Sequence, residues 1–260
     1  MIRVVLALAA CASVGMASQP SAPVQLDPGA ASPAAPAKAG GDADADDRFA
    51  RRLEVVDAAI AKVLDLRADF EQRRHTPLLK KPIISSGVVM SKDDRVRWDT
   101  VAPRASSIVM AAGEIRMYYP ADKLLEVYPV GEGFKDLAGA PLPRLSVLKR
   151  RFDIAPLTPK DLGVNDEDPR LLAVLLTPKL DELRKHVASV KLLIDESRPA
   201  ATKVVMTDPE GEETEISFTN VRLNAGVNAD ELDLKLPEGV RISRPLGEGK
   251  GSTRAPATSR

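Results

Sequence analysis

The stretch from Phe70 to Pro129 constrains the fold of this 260-residue chain more than any other part of the sequence. It consists of short apolar or alternating runs, broken about every eight to twelve residues by Gly, Pro, Asp or Lys. Such spacing is typical of consecutive antiparallel strands joined by tight turns. A sheet of this kind has an apolar face that other elements must cover.

Alternation within the predicted strands indicates which side chains point towards the covered face. Apolar residues alternate with charged ones, first in the segment that ends at Arg74 and then in the two segments around Trp98 and Met117. Because successive side chains of a strand point to opposite faces, one face of each strand is predicted to be buried. The side chains predicted to point inward include Leu66, Ala68, Phe70, Gln72, Val96, Trp98, Ile115, Met117 and Tyr119.

Two amphipathic segments are predicted to be helices that cover this face. The first starts after the acidic residues 42–47 and runs to about Leu66, with Phe49, Leu53, Val56, Ile60, Val63 and Leu64 at helical spacing. The second runs from about Arg144 to Arg151, after two prolines, and carries Leu142, Leu145 and Leu148 on or beside it. Each is interpreted either as a helix or loop packed permanently in the core or as a lid over a cavity.

Further strands follow the second helix. They are predicted at 171–177, 187–194, 202–207 and 213–223, with the turn Asp208-Pro209-Glu210-Gly211 joining the last two, and short strands at 232–236 and 240–242. No linker interrupts them. The sequence therefore predicts an α+β, mainly β domain over residues 46–245, with about ten or eleven strands.

The N-terminal segment predicts export. Arg3 precedes a short apolar run that resembles a secretory signal peptide, assigned to residues 1–17. Cleavage before Ser18 releases a soluble periplasmic protein, which we favour, whereas cleavage before Cys11 leaves a lipidated cysteine and a membrane-anchored lipoprotein. Residues 18–45, rich in Pro and Ala, and the tail 246–260 are predicted to be disordered.

No pattern in the sequence predicts catalysis, a metal site, a cofactor or nucleic-acid binding. Lys plus Arg and Asp plus Glu number 37 each. The two histidines, His75 and His186, lie in polar surroundings, and no nucleophile elbow, phosphate loop or zinc-binding helix occurs. The acidic run 166–168 is interpreted as a solvated loop. The protein is therefore predicted not to be an enzyme.

The remaining interpretation is a binding module for an apolar ligand. Aromatic residues make up only 3% of the chain, so the inward face is mainly aliphatic. Flexible aliphatic side chains suit chain-like apolar partners. The same pattern also fits a core that is simply filled by its own side chains, and both alternatives stay open at this point.

The order of several motifs resembles the LolA family of periplasmic lipoprotein carriers. An amphipathic helix leads into Phe70-x-Gln72, followed by Gly87, by Arg97-Trp98 with Pro103, and by Gly113 with Tyr118-Tyr119-Pro120. The segment 180–236, with its 208–211 turn and Phe218-Thr219-Asn220-Val221-Arg222, is also similar to that family. The resemblance covers about residues 48–240.

This resemblance implies a single half-open antiparallel β-barrel covered by lid helices. It also implies that the protein is a monomer that carries acyl chains of lipoproteins, or other lipids, from an inner-membrane ABC transporter of the Lol type to an outer-membrane receptor. The residues expected to line the apolar cavity and its lid are Leu53, Val56, Ile60, Phe70, Met90, Val96, Trp98, Ile115, Met117, Leu142, Leu145 and Leu148.

One position departs from the family pattern. In the family an arginine followed by proline helps to hold the lid closed, whereas this chain has Lys92-Asp93-Asp94-Arg95 at the corresponding place. Lys92 is therefore expected to keep the charge and to contact the lid without the fork geometry of arginine. Two alternatives to the carrier remain: a LolB-like lipoprotein acceptor anchored through Cys11, and a filled-barrel structural or interaction protein without a ligand.

Overall fold

A computed structural model describes residues 43–77, 79–129, 141–166 and 168–245. The predicted signal peptide, Cys11, most of the predicted linker and the predicted tail lie outside the described residues. Among the described residues, no helix combines the length and the apolar composition needed to cross a bilayer.

The described chain alternates one long helix, two short helices and twelve strands. The helices are α1 (Ala43–Ile60), α2 (Leu145–Leu148) and α3 (Asp181–Arg184). The strands are β1 (Asp65–His75), β2 (Ile83–Lys92), β3 (Arg95–Ala102), β4 (Ser106–Ala111), β5 (Glu114–Tyr119), β6 (Leu124–Pro129), β7 (Phe152–Leu157), β8 (Leu171–Pro178), β9 (Ser189–Asp195), β10 (Ala200–Thr207), β11 (Glu213–Leu223) and β12 (Arg241–Ser243).

All twelve strands of the described residues belong to one open sheet. Their order across the sheet is β12-β6-β5-β4-β3-β2-β1-β11-β10-β9-β8-β7. Neighbours pair in antiparallel fashion, except that β12 runs parallel to β6. The prediction of a mainly β fold with a half-open antiparallel sheet and few helices is therefore confirmed, although the described residues form twelve strands rather than the predicted ten or eleven.

Local turn chemistry determines where the strands reverse. Ala112 and Gly113 both have positive φ, at 51° and 76°, in the two-residue turn between β4 and β5, as type I′ hairpins require. Between β10 and β11, Asp208 Oδ1 accepts the N–H groups of Glu210 and Glu212 at 2.8 and 2.9 Å. A side chain that bonds its own backbone in this way stabilises the predicted turn.

The strands place one set of side chains in the main core, on what we call the inner face of the sheet. Leu66, Ala68 and Phe70 of β1 lie there, together with alternate residues of every strand from β2 to β11. Helix α1 packs on this face through Leu53, Val56 and Ile60, as its helical spacing predicts. The acidic residues Asp44 and Asp46 in its first turn interact favourably with the helix dipole.

The opposite, outer face is also covered over part of its area. Residues 224–240, which we call the outer strap, cross it and pack Val227 and Leu232 against one strand and Leu234 and Val240 against Tyr118, Leu125 and Val127. At the other end of the sheet, Leu162 lies in the turn Pro159–Leu162 and packs against Ala173 and Leu193. Both faces of several strands are therefore apolar.

The structure differs from the sequence predictions in four elements. Helix α1 begins at Ala43, inside the predicted linker, and ends at Ile60, so Val63 and Leu64 lie beyond it. Helix α2 is only Leu145–Leu148. Strand β7 was not predicted, and Leu232–Leu236 is not a strand because the chain there forms a 3-10 turn and irregular backbone of the outer strap.

Candidate functional site

The inner face and the helices that cover it form the candidate site. The structure brings together the predicted residues of α1, of the sheet and of α2 in one apolar cluster: Leu53, Val56, Ile60, Phe70, Val96, Trp98, Ile115, Met117, Leu145 and Leu148. Leu142 is partly buried and packs against the same cluster. The helical and strand periodicities of the sequence therefore correctly predict that these residues are buried together.

Two of the predicted site residues lie elsewhere. Met90 points to the outer face, where it packs with Val227 and Leu232. Lys92 points to the same outer face, where its Nζ donates a hydrogen bond to the carbonyl of Val227 at 2.8 Å. Both residues hold the outer strap, because the side chains of Met90 and Lys92 share the face opposite to that of Val89.

Three aromatic rings form the centre of the inner face. The centroid of the Trp98 ring lies 4.9 Å from that of Phe70, in an edge-to-face arrangement, and 5.9 Å from that of Phe218. Edge-to-face pairs place the positive ring edge against the negative ring face, which adds to the free energy of burial. In a chain with few aromatic residues, this grouping fixes a flat and rigid part of an otherwise aliphatic surface.

Polar contacts attach the covering helices at their rim. Arg52 of α1 donates through Nε to Glu196 Oε1 at 2.8 Å and through Nη2 to the carbonyls of Pro169 and Leu171 at 2.8 and 3.1 Å. Asp57 Oδ1 of α1 accepts the backbone N–H of Ser146 in α2 at 3.1 Å. The Arg52–Glu196 pair is partly exposed, so solvent screens it and it contributes only modestly to the free energy of packing.

A row of buried polar side chains crosses one end of the inner face, and we call it the polar arc. Its members come from five adjacent strands: Ser106, Thr100, Ser85, Gln72 and Thr214. Each lies on the same side of its strand as core residues and therefore points inward. Thr100 pairs directly with Ser106, and Ser85 pairs with Gln72. Hydroxyl and amide groups thus border the aromatic rings.

Gln72 is the most buried member of the polar arc, with 1% of its surface exposed. Its Oε1 has no hydrogen-bond donor among the described residues. An unsatisfied buried acceptor costs about 1–3 kcal/mol, and native proteins rarely keep one without a reason. Gln72 is not among the residues that the sequence predicts for the site, although a polar residue on the inward side of an alternating strand is a signal for such a role.

A depression lies on the outer face, beneath the outer strap. Its volume is about 510 Å³, and it is lined mainly by polar residues that include Arg97, Asp99 and Glu231. Arg97 donates to Asp99 Oδ1 and Oδ2, to the carbonyl of Glu231 at 2.9 Å and to that of Asp233 at 2.6 Å. The guanidinium of Arg97, the strongest hydrogen-bond donor in this depression, therefore already binds the outer strap.

No group of three or more His, Cys, Asp or Glu side chains is placed to hold a metal ion in the part of the chain that the structure describes. Hydrogen bonds from Arg170 lower the pKa of Asp168 to about 2, so this member of the acidic run is an ion-paired surface carboxylate. Burial lowers the pKa of His186 below its usual value.

Comparisons with known proteins found several solved structures that are similar to this chain. Similar solved structures include an uncharacterized conserved protein from Thermus thermophilus, with 11% identity, coverage of 77% of this chain and 99% of that chain, and a TM-score of 0.48. The Mycobacterium tuberculosis lipoprotein LppX is 8% identical, with coverage of 70% and 98% and a TM-score of 0.44. The Pseudomonas aeruginosa MucA/MucB complex is 14% identical, with coverage of 72% and 61% and a TM-score of 0.42.

The search of curated proteins gave no match. The sequence model of a family, in contrast, matches directly. The family described as outer membrane lipoprotein carrier protein LolA matches residues 61–234. This range begins just after α1 and contains β1 to β11 together with the first part of the outer strap. Because the match spans more than half of the 260 residues, the chain belongs to the LolA family.

Proposed function

We propose that the protein is a periplasmic carrier that binds acyl chains on the inner face of its sheet. In this proposal it takes lipoproteins, or related lipids, from an inner-membrane ABC transporter and delivers them to an outer-membrane receptor. One observation carries the proposal: in a member of the LolA family, a continuous apolar face is covered by helices whose polar attachments lie at the exposed rim.

The free energies of burial support an exchange between helix and ligand. One sixteen-carbon chain contributes roughly 12 kcal/mol on transfer from water, at about 0.8 kcal/mol per methylene group. Withdrawal of α1 exposes Leu53, Val56 and Ile60, which costs about 2–3 kcal/mol for each side chain. Burial of an acyl chain therefore contributes more free energy than exposure of these three side chains costs. The closed state lowers the net affinity, so that delivery remains feasible.

A direct test is native mass spectrometry of the full-length protein purified from the bacterial envelope, followed by lipid extraction. We expect a co-purifying lipid or lipoprotein and saturable binding of a fluorescent sixteen-carbon fatty acid. The mass of the mature N-terminus separates the soluble carrier, which begins at Ser18, from a receptor-like protein lipidated on Cys11. A protein that is isolated empty and does not bind the probe contradicts the proposal.

The same measurement addresses a second candidate, a filled structural barrel. The observation that favours it is the close packing of Phe70, Trp98 and Phe218, which already occupies the centre of the inner face. A carrier must move these side chains or its helices to admit an acyl chain, whereas a structural protein needs no such rearrangement. Absence of probe binding by a correctly folded protein supports the structural candidate.

The attachment of α1 through Arg52 yields a more specific prediction. Replacement of Arg52 by alanine removes the bonds to Glu196, Pro169 and Leu171 and weakens the closed state by about 1 kcal/mol, since the ion pair is partly exposed. We expect the apparent affinity for the fluorescent fatty acid to rise about fivefold. Fluorescence titration measures this change.

The matched control is Arg51→Ala, which removes the same charge from an exposed neighbouring position of the helix. This variant should bind the probe as the unmodified protein does. Equal affinities for Arg52→Ala and Arg51→Ala are evidence that α1 does not act as a lid, even if the protein binds lipid.

A further inference from the structure

The polar arc divides the inner face into chemically different zones. Thr100 lies two residues from Trp98 on the same face of β3, and Gln72 lies two residues from Phe70 on β1. Moving away from the arc, a ligand therefore meets first the aromatic rings and then the aliphatic residues of the core, such as Val96 and Leu66. This order of polar, aromatic and aliphatic zones favours an amphiphilic ligand that binds in a single orientation.

The polar arc contains five of the seven buried polar residues in the part of the chain that the structure describes. Four of its five members carry a buried hydroxyl, and three of these, Ser85, Thr100 and Ser106, lie on the adjacent strands β2, β3 and β4. A buried hydroxyl is both a donor and an acceptor, so it suits a carbonyl or hydroxyl of a ligand but gives no benefit to a methylene chain. A face that bound only hydrocarbon would favour apolar residues at these positions.

Gln72 adds a more specific requirement. Its Oε1 can only accept hydrogen bonds, is buried within the arc and has no donor among the described residues. The group that satisfies it must therefore bring an N–H or an O–H. The carbonyl and ether oxygens of a simple ester cannot do so, whereas an amide N–H or a hydroxyl next to an acyl chain can.

We propose that the polar arc binds the polar end of the acyl ligand and selects chains that carry a hydrogen-bond donor next to the acyl carbonyl, such as amide-linked acyl groups. The donor bonds to Gln72 Oε1, the neighbouring hydroxyls bind the ligand carbonyl, and the chain extends past Trp98 towards the aliphatic core. This inference rests on the proposed acyl-carrier function and adds a ligand orientation and a chemical preference to it.

The test compares N-methylpalmitamide with methyl palmitate as competitors of the fluorescent fatty acid. The two probes share one chain and differ by an N–H in place of an ester oxygen. We expect the full-length protein to bind the amide about five- to tenfold more tightly. In the variant Gln72→Leu, which replaces the amide by an apolar group of similar volume, the two affinities should become equal.

A second measurement separates ligand recognition from a structural role. Because Gln72→Leu removes an unsatisfied acceptor, we expect its thermal unfolding midpoint to equal or exceed that of the unmodified protein. The control is Ser91→Ala, which removes another buried inward hydroxyl of β2 outside the arc, opposite Leu66. It should retain the preference for the amide.

Each outcome is informative. Equal binding of amide and ester by the unmodified protein overturns the inference while the carrier function stands. A preference that persists in Gln72→Leu, or a marked fall in the stability of that variant, assigns Gln72 a structural role and also overturns it. Failure of both probes to bind rejects the carrier function together with the inference.

Discussion

Replacement of Trp98 by alanine is expected to lower the free energy of unfolding by about 3–5 kcal/mol, the range found for large-to-small changes at buried aromatic residues. The side chain is 5% exposed and contacts the rings of Phe70 and Phe218. Its removal leaves a cavity between the sheet and the covering helices and abolishes both ring contacts. Unfolding in guanidinium chloride, followed by circular dichroism, measures the change.

Val101 provides the control for this experiment because it lies on the same strand and is 70% exposed. The variant Val101→Ala should change the free energy of unfolding by less than about 0.5 kcal/mol. A loss below about 1.5 kcal/mol for Trp98→Ala contradicts the assignment of Trp98 to a closely packed centre, because a loosely covered ring loses little when truncated.

Introduction of a single methyl group at Gly87 is expected to lower the free energy of unfolding by nearly as much as the Trp98→Ala replacement. An ideal Cβ at this position lies 1.9 Å from the carbonyl oxygen of Asp99 on the neighbouring strand, where the pairing of β2 and β3 is irregular. The obstacle is backbone, which cannot rotate away as a side chain can. We expect Gly87→Ala to cost about 3 kcal/mol or more, at the upper end of the range for overpacking.

Gly163→Ala tests whether the close approach is the cause. Gly163 has a φ of 70° and no atom within 4 Å of an added Cβ, so its replacement incurs only the left-handed backbone cost of about 1–2 kcal/mol. Chemical unfolding of the two variants side by side should give a clearly larger loss for Gly87→Ala. Similar losses contradict the steric explanation.

The regular spacing of apolar and charged residues was the feature of the sequence that most reliably predicted which side chains are buried. In β1 the residues Leu66, Ala68 and Phe70 face the core as predicted, and α1 contributes Leu53 and Ile60 as its helical spacing predicts. In both elements only one side is buried in the core, so the pattern of apolar and charged residues reports the direction of each side chain. The open mainly β sheet and its covering helices could be predicted for this reason.

The same reasoning was wrong for Met90 because β2 is covered on both faces. Val88, Val89 and Met90 form an uninterrupted apolar run in which Val89 enters the main core while Met90 packs beneath the outer strap. In a strand with two apolar faces the residues do not alternate between apolar and polar, so the sequence does not show to which face each side chain points. The role of Lys92 could not be predicted either, since its partner, Val227, is 135 positions away in the sequence.

Strand β7 and the polar arc illustrate two other limits. Pro156 and exposed Asp153 interrupt β7, which resembles a loop in sequence and is a strand because it pairs with β8. The hydroxyl members of the arc look like ordinary turn or surface residues when each is considered alone. Only the register of strands such as β2 and β3 aligns them into one row.

The parallel pairing of β12 with β6 has a consequence for association between copies of the protein. An open sheet presents unpaired backbone groups on its outermost strands, and these can recruit strands from another molecule. Here β12 is only Arg241–Ser243 and lies along the first half of β6, while Pro156 removes a backbone donor from β7 at the opposite end. Short, interrupted outer strands disfavour edge-to-edge polymerisation, so an open sheet of this kind need not become a template for aggregation.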